Sequence, residues 1–481
     1  MKMNTGPIIA CSTCLQSNAG LAVIRLSGFD SLSLLQDFFS ADISKFLPRK
    51  QIHTNLLDLK GEILDDVLAT FFPASHSFTG ENVLELSVHG NIIHVERLLT
   101  HLTNNFGFSL AAPGEFTYRA FKNKKLNLSQ VEGLDLLLSA DTSFVFDQGL
   151  SQLTGELHQL YLELHQSFKK LVASVELSID FSDDVGEEQA HSLFSGYVAE
   201  VKAKLSVLHR RCSAPIGSLL EPSIVFLGAP NAGTSTLFNH LLGHDRAIVS
   251  DVPGTTRDYL SESLSMNFGR VRLIDTAGIR AGGEAIEQEG IKRSRQQISH
   301  AFMRVLVVNP FDEMKPQFSP EDIDLVIVTH ADVAGFDAKF SQFKNNCPNV
   351  PLVLWGHNES FYGPMGANSC VGPMGAIPFV AGPIEPIVYF SDPLRIISSL
   401  ADIKYQSLTN SSPILIARQR ELIHKLYSSF LLFEDLSLKE KDIAVLSSEL
   451  AIILDISQEL IGVFYPDDVL HHIFNNFCIG K

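Results

Sequence analysis

The segment GAPNAGTST, residues 228–236, follows a short apolar run, Ile224 to Leu227, and leads into the helical spacing of Leu237, Leu241 and Leu242. A strand that turns through glycines into a helix leaves the first N–H groups of that helix without intrahelical partners, which is the layout of a phosphate-cradling loop. In the usual pattern, G-x-x-x-x-G-K-[ST], a lysine reaches the outer phosphates and the next hydroxyl binds Mg²⁺. Here Asn231, Ala232 and Gly233 lead to Thr234 at the lysine position, with Ser235 and Thr236 after it. The chain has the frame of a nucleotide site and lacks its usual charge.

Further elements follow in a fixed order. Ser250 precedes Asp251, Val252, Pro253, Gly254, Thr255 and Thr256, a glycine-marked loop with two adjacent hydroxyls of the kind that folds over a γ-phosphate and its metal. Asp275, Thr276, Ala277 and Gly278 come directly after the apolar run 271–274, and an aspartate at a strand end suits Mg²⁺ and γ-phosphate sensing. Thr329, His330 and Asp332 come after the run 325–328, where guanine-nucleotide proteins read the base. A carboxylate there accepts from both N1–H and the exocyclic amine of guanine, a contact adenine cannot offer. Ser391, after the run 387–390, takes the last base-contacting position. Each element alone is weak, but four in order, each after a strand, point to a guanine-nucleotide fold.

The runs at 224–227, 271–274, 305–308, 325–328, 352–355 and 387–390 are short, apolar and separated by crossovers, which predicts a doubly wound, mostly parallel sheet. Residues 356–386 carry GPMGA twice amid Gly, Pro, Asn and Ser and read as a loop. Before this region, residues 1–120 alternate short apolar runs with one helical pattern at 93–102, the signature of a small α+β domain. Arg25 and Glu85 interrupt apolar runs there, and such charges ordinarily sit on a solvated face; with Lys125 they are also able to hold a ligand with donor and acceptor edges. From 129 to 215 the spacing becomes helical, with a stripe from Leu150 through Leu157, Leu164 and Leu171 to Val175 reading as one long bundle helix that IDFSDD at 179–184 ends. Helical spacing returns near the end. The expected organisation is therefore multidomain α+β and α/β: 1–120 N-terminal domain, 121–218 first helical half, 219–396 inserted Ras-like nucleotide domain, and 397–481 second helical half.

With 481 residues the chain exceeds one compact core, and its net charge of −17 argues against a protein that coats nucleic acid through a broad basic surface, while leaving room for RNA held by a local basic patch or a second subunit. Neither a secretory leader nor a membrane-spanning apolar run is evident, so the expected location is the cytoplasm, with no membrane partner. Six scattered cysteines are too few for a disulfide scaffold, and the pair Cys11 and Cys14 lacks the further ligands of a metal site.

The stretches FTGENVLEL with the following HG, APGEFTYRAFKNKKLNLSQVE, GTTRD, DTAGIR with EGIKRS, and the terminal IFNNFCIGK together resemble the tRNA wobble-uridine modification GTPase family MnmE, also called TrmE. The resemblance covers nearly the whole chain. It implies an N-terminal tetrahydrofolate-binding domain that makes a homodimer, a split helical domain and an inserted G domain binding GTP and GDP. It also implies a flavin-containing partner, MnmG, in a heterotetramer that acts on tRNA, installing a carboxymethylaminomethyl or aminomethyl group on the wobble uridine. By motif, Arg25, Glu85, Lys125 and Lys481 fall on positions that hold a 5-formyl- or methylene-tetrahydrofolate, and Cys478 on a cysteine of the modification chemistry. Ser235 and Thr256 match Mg²⁺ ligands, while Asn231, Ser250, Val252 and Thr255 match K⁺ ligands. Glu287 falls on the glutamate that orients the attacking water.

Three departures stand beside this likeness. Thr234 replaces the loop lysine, Thr329 and His330 replace Asn-Lys, and residues 12–22 read STCLQSNAGLA where the family is glycine-rich. A rival class therefore stays open: a non-hydrolysing folate- and partner-binding scaffold with a degenerate G domain. A third, a folate-dependent enzyme of small molecules, lacks a separate substrate pocket in the sequence.

Overall fold

A computed structural model describes residues 4–13, 17–180, 187–213, 216–229, 231–244, 261–275, 300–312, 323–344, 350–356, 388–390, 392–439, 443–463, 470, 473–474, 477 and 480. The chain forms two compact units. Unit one comprises 1–139, 148–208 and 416–481; unit two comprises 140–147 and 209–415. Residues 357–386 of the GPMGA segment lie outside the described residues, as do 181–184 of IDFSDD.

Unit one begins with β1 (Ile8–Cys11), β2 (Ala22–Ser27), β3 (Gln51–Leu57), β4 (Ile63–Phe72), β5 (Val83–Val88) and β6 (Ser109–Leu110), in the order β3-β4-β5-β2-β1-β6. Neighbours are antiparallel except β1 with β6. Alternation in β2 turns Ala22, Ile24 and Leu26 into one core, which Val95, Leu98 and Leu102 of the helix Ile92–Phe106 complete. That helix starts where the Asn91 side chain accepts from the His94 N–H, and it stops at Gly107, whose φ of 72° few other residues tolerate. The second face of the sheet is covered too, by Phe116 of the helix Glu115–Lys122 against Ile8 and Ala10. Arg25 and Glu85 point to this covered face, so the solvated-face expectation does not hold: their side chains are 19% and 30% exposed.

The remaining helices of unit one are joined by buried polar contacts across large sequence distances. Tyr161 Oη donates to Gln419 Oε1 at 2.8 Å, and the Arg418 guanidinium donates to Glu132 at 2.6 and 3.0 Å. The Gln419 amide also donates to Glu132, at 2.7 Å. These bonds tie the helices Leu128–Leu138 and Glu156–Asp180 to Ala417–Lys439. The leucine stripe expected as one helix is two, Ser143–Thr154 and Glu156–Asp180, broken at Gly155 with φ 91°. Leu157, Leu164 and Leu171 are buried, whereas Leu150 and Leu160 are exposed.

Unit two contains β7 (Ser223–Gly228), β8 (Ser261–Met266), β9 (Gly269–Asp275), β10 (Met303–Val308), β11 (Leu325–Val328), β12 (Leu352–Leu354) and β13 (Val388–Phe390), in the order β13-β12-β11-β10-β7-β9-β8. All neighbours are parallel except β8 with β9. Every residue of β11 is buried, as a central strand covered on both faces requires. The segment 140–147 attaches at the β8–β9 turn: the Arg270 N–H donates to the Asp141 carbonyl, the Ser143 N–H to the Phe268 carbonyl, and Thr142 bridges to Gly269.

Candidate nucleotide-binding site

In unit two, β7 delivers Gly228, and after a turn the helix Thr234–His244 begins. Asn231 and Gly233 take left-handed φ values of 69° and 95°, and the Leu237 N–H donates to the Gly233 carbonyl at 3.0 Å. In such a first turn the N–H groups of residues 234–236 have no intrahelical acceptor. They and the positive end of the helix dipole form an anion seat. Thr234 is buried, 4% exposed, and its methyl lies 2.9 Å from where a Cβ on Gly228 would stand. Glycine at 228 is thus required by close packing, and the position that ordinarily carries a cation is a neutral, buried side chain.

Sheet register brings the acidic partner alongside. Phe226 of β7 pairs with Asp275 at the end of β9, and the Ser235 Oγ donates to Asp275 Oδ2 at 2.9 Å. Asp275 is 3% exposed. A hydroxyl and a carboxylate at this spacing are hard oxygen donors that fit Mg²⁺.

The segment after β11 reaches the same loop. Thr329 Oγ1 donates toward the carbonyls of Ala232, at 2.9 Å, and Val308, at 3.1 Å, and lies 2.9 Å from His330 Nδ1. A hydroxyl has one proton; with it turned to the carbonyls, the imidazole donates to Thr329 Oγ1 through Nδ1. His330 has φ 59°, and Ala331 N–H donates to the Trp355 carbonyl. Asp332 packs on Gly356: a Cβ there would stand 2.9 Å from the Asp332 Cβ. Motif reading finds Thr329, His330 and Asp332 but not Gly356, whose glycine is dictated by a contact from another strand end.

In unit one, Arg25 and Glu85 pair in register across β2 and β5, with Arg25 Nε and Nη2 donating to Glu85 Oε1 at 2.8 and 2.6 Å. The guanidinium stands 5.8 Å from the Phe116 ring centroid and 5.9 Å from that of Phe78. Arg25 Nη1 and the Ser12 hydroxyl both donate to the Gly480 carbonyl, at 3.4 and 3.1 Å. Lys125 Nζ donates to the Ser75 carbonyl at 2.7 Å, on the loop that carries Phe78. Phe78, Phe116, Ser12 and Gly480 lie within the stretches quoted from the sequence, yet nothing there singles them out, because their role is a contact with Arg25 or with one another that only the fold creates.

Ser250, Asp251, Val252, Pro253, Gly254, Thr255 and Thr256 lie outside the described residues. So do Thr276, Ala277, Gly278, Glu287, Ser391, Cys478 and Lys481. Cys14 of the Cys11 and Cys14 pair lies outside them as well; Asn231, Ala232, Thr236 and the remaining candidate site residues are described.

The family model "GTP-binding protein TrmE N-terminus" matches residues 7–125, and "50S ribosome-binding GTPase" matches 223–335. The chain is 31% identical to the tRNA modification GTPase MnmE of Aquifex aeolicus, covering 99% of both chains. It is 32% identical to that of Xylella fastidiosa, over 99% of this chain and 98% of the relative. Identity to the Xanthomonas campestris (strain B100) protein is also 32%, over 100% of each. Likeness of this extent, running through both units, means that the chain belongs to the MnmE family of tRNA modification GTPases.

Proposed function

We propose that this chain binds and hydrolyses guanine nucleotide in the service of tRNA modification, as the names of its relatives state for them. The observation that carries the reading is the Ser235–Asp275 hydrogen bond beside a helix N-terminus. Backbone N–H groups of 234–236 seat the phosphates, Asp332 reads guanine, and Thr329 holds the reading segment to the phosphate loop. Ser235 and Thr256 would hold Mg²⁺, with Asp275 beside Ser235 as a further oxygen donor, and a divalent ion there would offset phosphate charge. Asn231, Ser250, Val252 and Thr255 hold K⁺, and Glu287 orients water. Because Thr234 brings no cation, nucleotide affinity falls short of a lysine loop by about 1.5–3 kcal/mol, the worth of a charge-assisted contact.

On the same reading, Arg25, Glu85, Lys125 and Lys481 hold a tetrahydrofolate derivative. The pairing of a donor-rich guanidinium with a carboxylate between two aromatic rings fits a heterocycle with both donor and acceptor edges. Cys478 serves the modification chemistry. The protein acts in the cytoplasm as a homodimer with the flavoprotein MnmG on the wobble uridine of tRNA.

GTP turnover of the full-length protein in K⁺ against Na⁺, with Thr234→Lys beside it, tests this. The expected result is K⁺-dependent turnover that the lysine raises. Absence of guanine-nucleotide binding in K⁺ buffer, together with unchanged wobble modification in cells lacking the protein, overturns it. Nucleotide binding without turnover in either form favours the scaffold.

A further inference from the structure

The loop between β4 and β5 carries Phe78 to Arg25 and, a little earlier, presents the consecutive carbonyls of Ser75 and His76. Lys125 Nζ donates to the first at 2.7 Å and Arg49 Nη2 to the second at 2.6 Å. Two cations from separate elements, the lead into β3 and the turn after the helix Glu115–Lys122, thus converge on one loop. Lys50, Lys122 and Lys124 adjoin them in sequence, and all five are exposed. Among the described residues none of the five forms an ion pair, whereas Arg25 and Arg119 on the same domain are both paired. Each ammonium or guanidinium keeps further N–H groups after bonding one carbonyl.

The backbone at this corner is held in an unfavourable form. Arg49, Ser75 and Lys124 have φ values of 58°, 66° and 57°, a region that non-glycine residues seldom take. Strain of this kind persists where surrounding contacts over-determine it, and here the contacts are the Arg49 and Lys125 clamps and the packing of Gly80 on Asn123 and Lys125. The result is a cationic patch, without ion pairs among the described residues, on a chain of net charge −17, and the loop it clamps also carries Phe78, which stands 5.9 Å from the Arg25 guanidinium.

We infer that this patch is a subsite for a chain of carboxylates, the γ-linked glutamate tail of a folate whose heterocycle lies at Arg25 and Glu85. The inference rests on the folate reading and adds to it a preference for polyglutamylated ligand. A tail suits the patch better than an RNA backbone does: the cations come from two short segments, adjoin an aromatic-lined ligand position, and belong to an otherwise acidic molecule.

Calorimetry on the full-length protein with 5-formyltetrahydrofolate as monoglutamate and as triglutamate tests it. The triglutamate is expected to bind about tenfold tighter at low salt, the gap closing to less than about threefold near 0.5 M salt, because exposed ion pairs are screened. Lys124→Gly keeps both clamps and relieves the left-handed strain; it is expected to leave monoglutamate affinity unchanged and to cut the gap about threefold. Arg49→Gln is expected to cut the gap similarly and Arg49→Lys to restore most of it. Equal binding of the two ligands overturns the subsite while leaving the folate reading intact; failure of both to bind removes the folate reading and this inference with it. A gap that survives both Lys124→Gly and Arg49→Gln places the tail elsewhere and overturns the assignment. So does loss of binding to a short single-stranded RNA, on the same substitutions, with no gap between the folates.

Discussion

The hydroxyl of Thr329 lies 2.9 Å from the carbonyl oxygen of Ala232, joining the segment after β11 to the phosphate loop after β7. Ala232 is nearly a hundred positions earlier in the chain, and the Thr329 side chain, 2% exposed, adds a buried tie between the two halves of the nucleotide site to the pairing of β7, β10 and β11.

Thr329→Val keeps the shape and removes the hydrogen bond. GDP affinity is expected to fall about three- to tenfold, in line with a net hydrogen-bond contribution of about 0.5–1.5 kcal/mol, and Thr329→Ser to retain it. Titration calorimetry on the three forms checks this; equal affinity of the valine form would falsify the strut role.

Asp275 is buried and accepts from Ser235. Asp275→Asn keeps an acceptor but loses the charge, so the Mg²⁺-dependent part of GTP affinity is expected to fall at least about tenfold while Mg²⁺-free GDP binding stays near that of the native chain. Nucleotide titrations with and without Mg²⁺ separate the two, and an unchanged Mg²⁺ response refutes the assignment.

In unit one, burial pushes the Arg418 guanidinium down, but hydrogen bonding and attraction to Glu132 outweigh it, so the group is held charged more firmly than usual. Glu132→Gln leaves that charge buried without its counter-ion and is expected to cost about 3–5 kcal/mol in urea unfolding. Replacing both residues, Glu132→Leu with Arg418→Met, is expected to recover most of the loss, because the pair's own net worth is small once desolvation is counted.

Asp65 accepts from the ring of His89 at 2.6 Å and lies 3.0 Å from His94 Nε2. Burial pushes the Asp65 carboxyl up, yet the hydrogen bonds from the His89 ring and amide, His94 and the Asp66 amide outweigh it and hold it below the usual carboxylate range. The hydrogen bond and charge of Asp65 hold the His89 imidazole above its ordinary value. A raised histidine stabilises the fold fully below its unfolded pKa and stops doing so as pH rises through its folded one; a lowered carboxyl stabilises above its unfolded pKa and stops as pH falls through its folded one. The gap in urea midpoint between the native chain and Asp65→Asn is therefore expected to be widest near pH 5–6 and to narrow at about pH 9. A gap independent of pH rules out the ionic part of the contact.

Apolar continuity made β7, β9, β10 and β11 legible, because central parallel strands need it on both faces. The edge strand β8, SESLSM, alternates polar and apolar residues and pairs on one side only, so it gives no such signal. The break at Gly155 hides in a stripe whose spacing continues across it; glycine is tolerated in helices, and only the φ of 91° marks the end. Arg25 and Glu85 read as solvated because a sequence says which residues share a face, not whether another element covers it. The ordered nucleotide motifs are local and were visible, whereas Thr329 to Ala232 and Asp332 to Gly356 are long-range contacts that only folding creates.

The chain passes between its two units at 139/140, 147/148, 208/209 and 415/416. Unit two is consequently stitched in twice, and its boundary cannot be cut as one continuous piece. A fragment of residues 209–415 leaves behind Asp141, Thr142 and Ser143, and with them the hydrogen-bond partners of Arg270 and Phe268 at the β8–β9 turn. Exposed backbone at a sheet margin invites pairing with other molecules. An excised nucleotide unit is thus expected to self-associate through this margin, and grafting residues 140–147 back onto the fragment is the remedy its connectivity dictates.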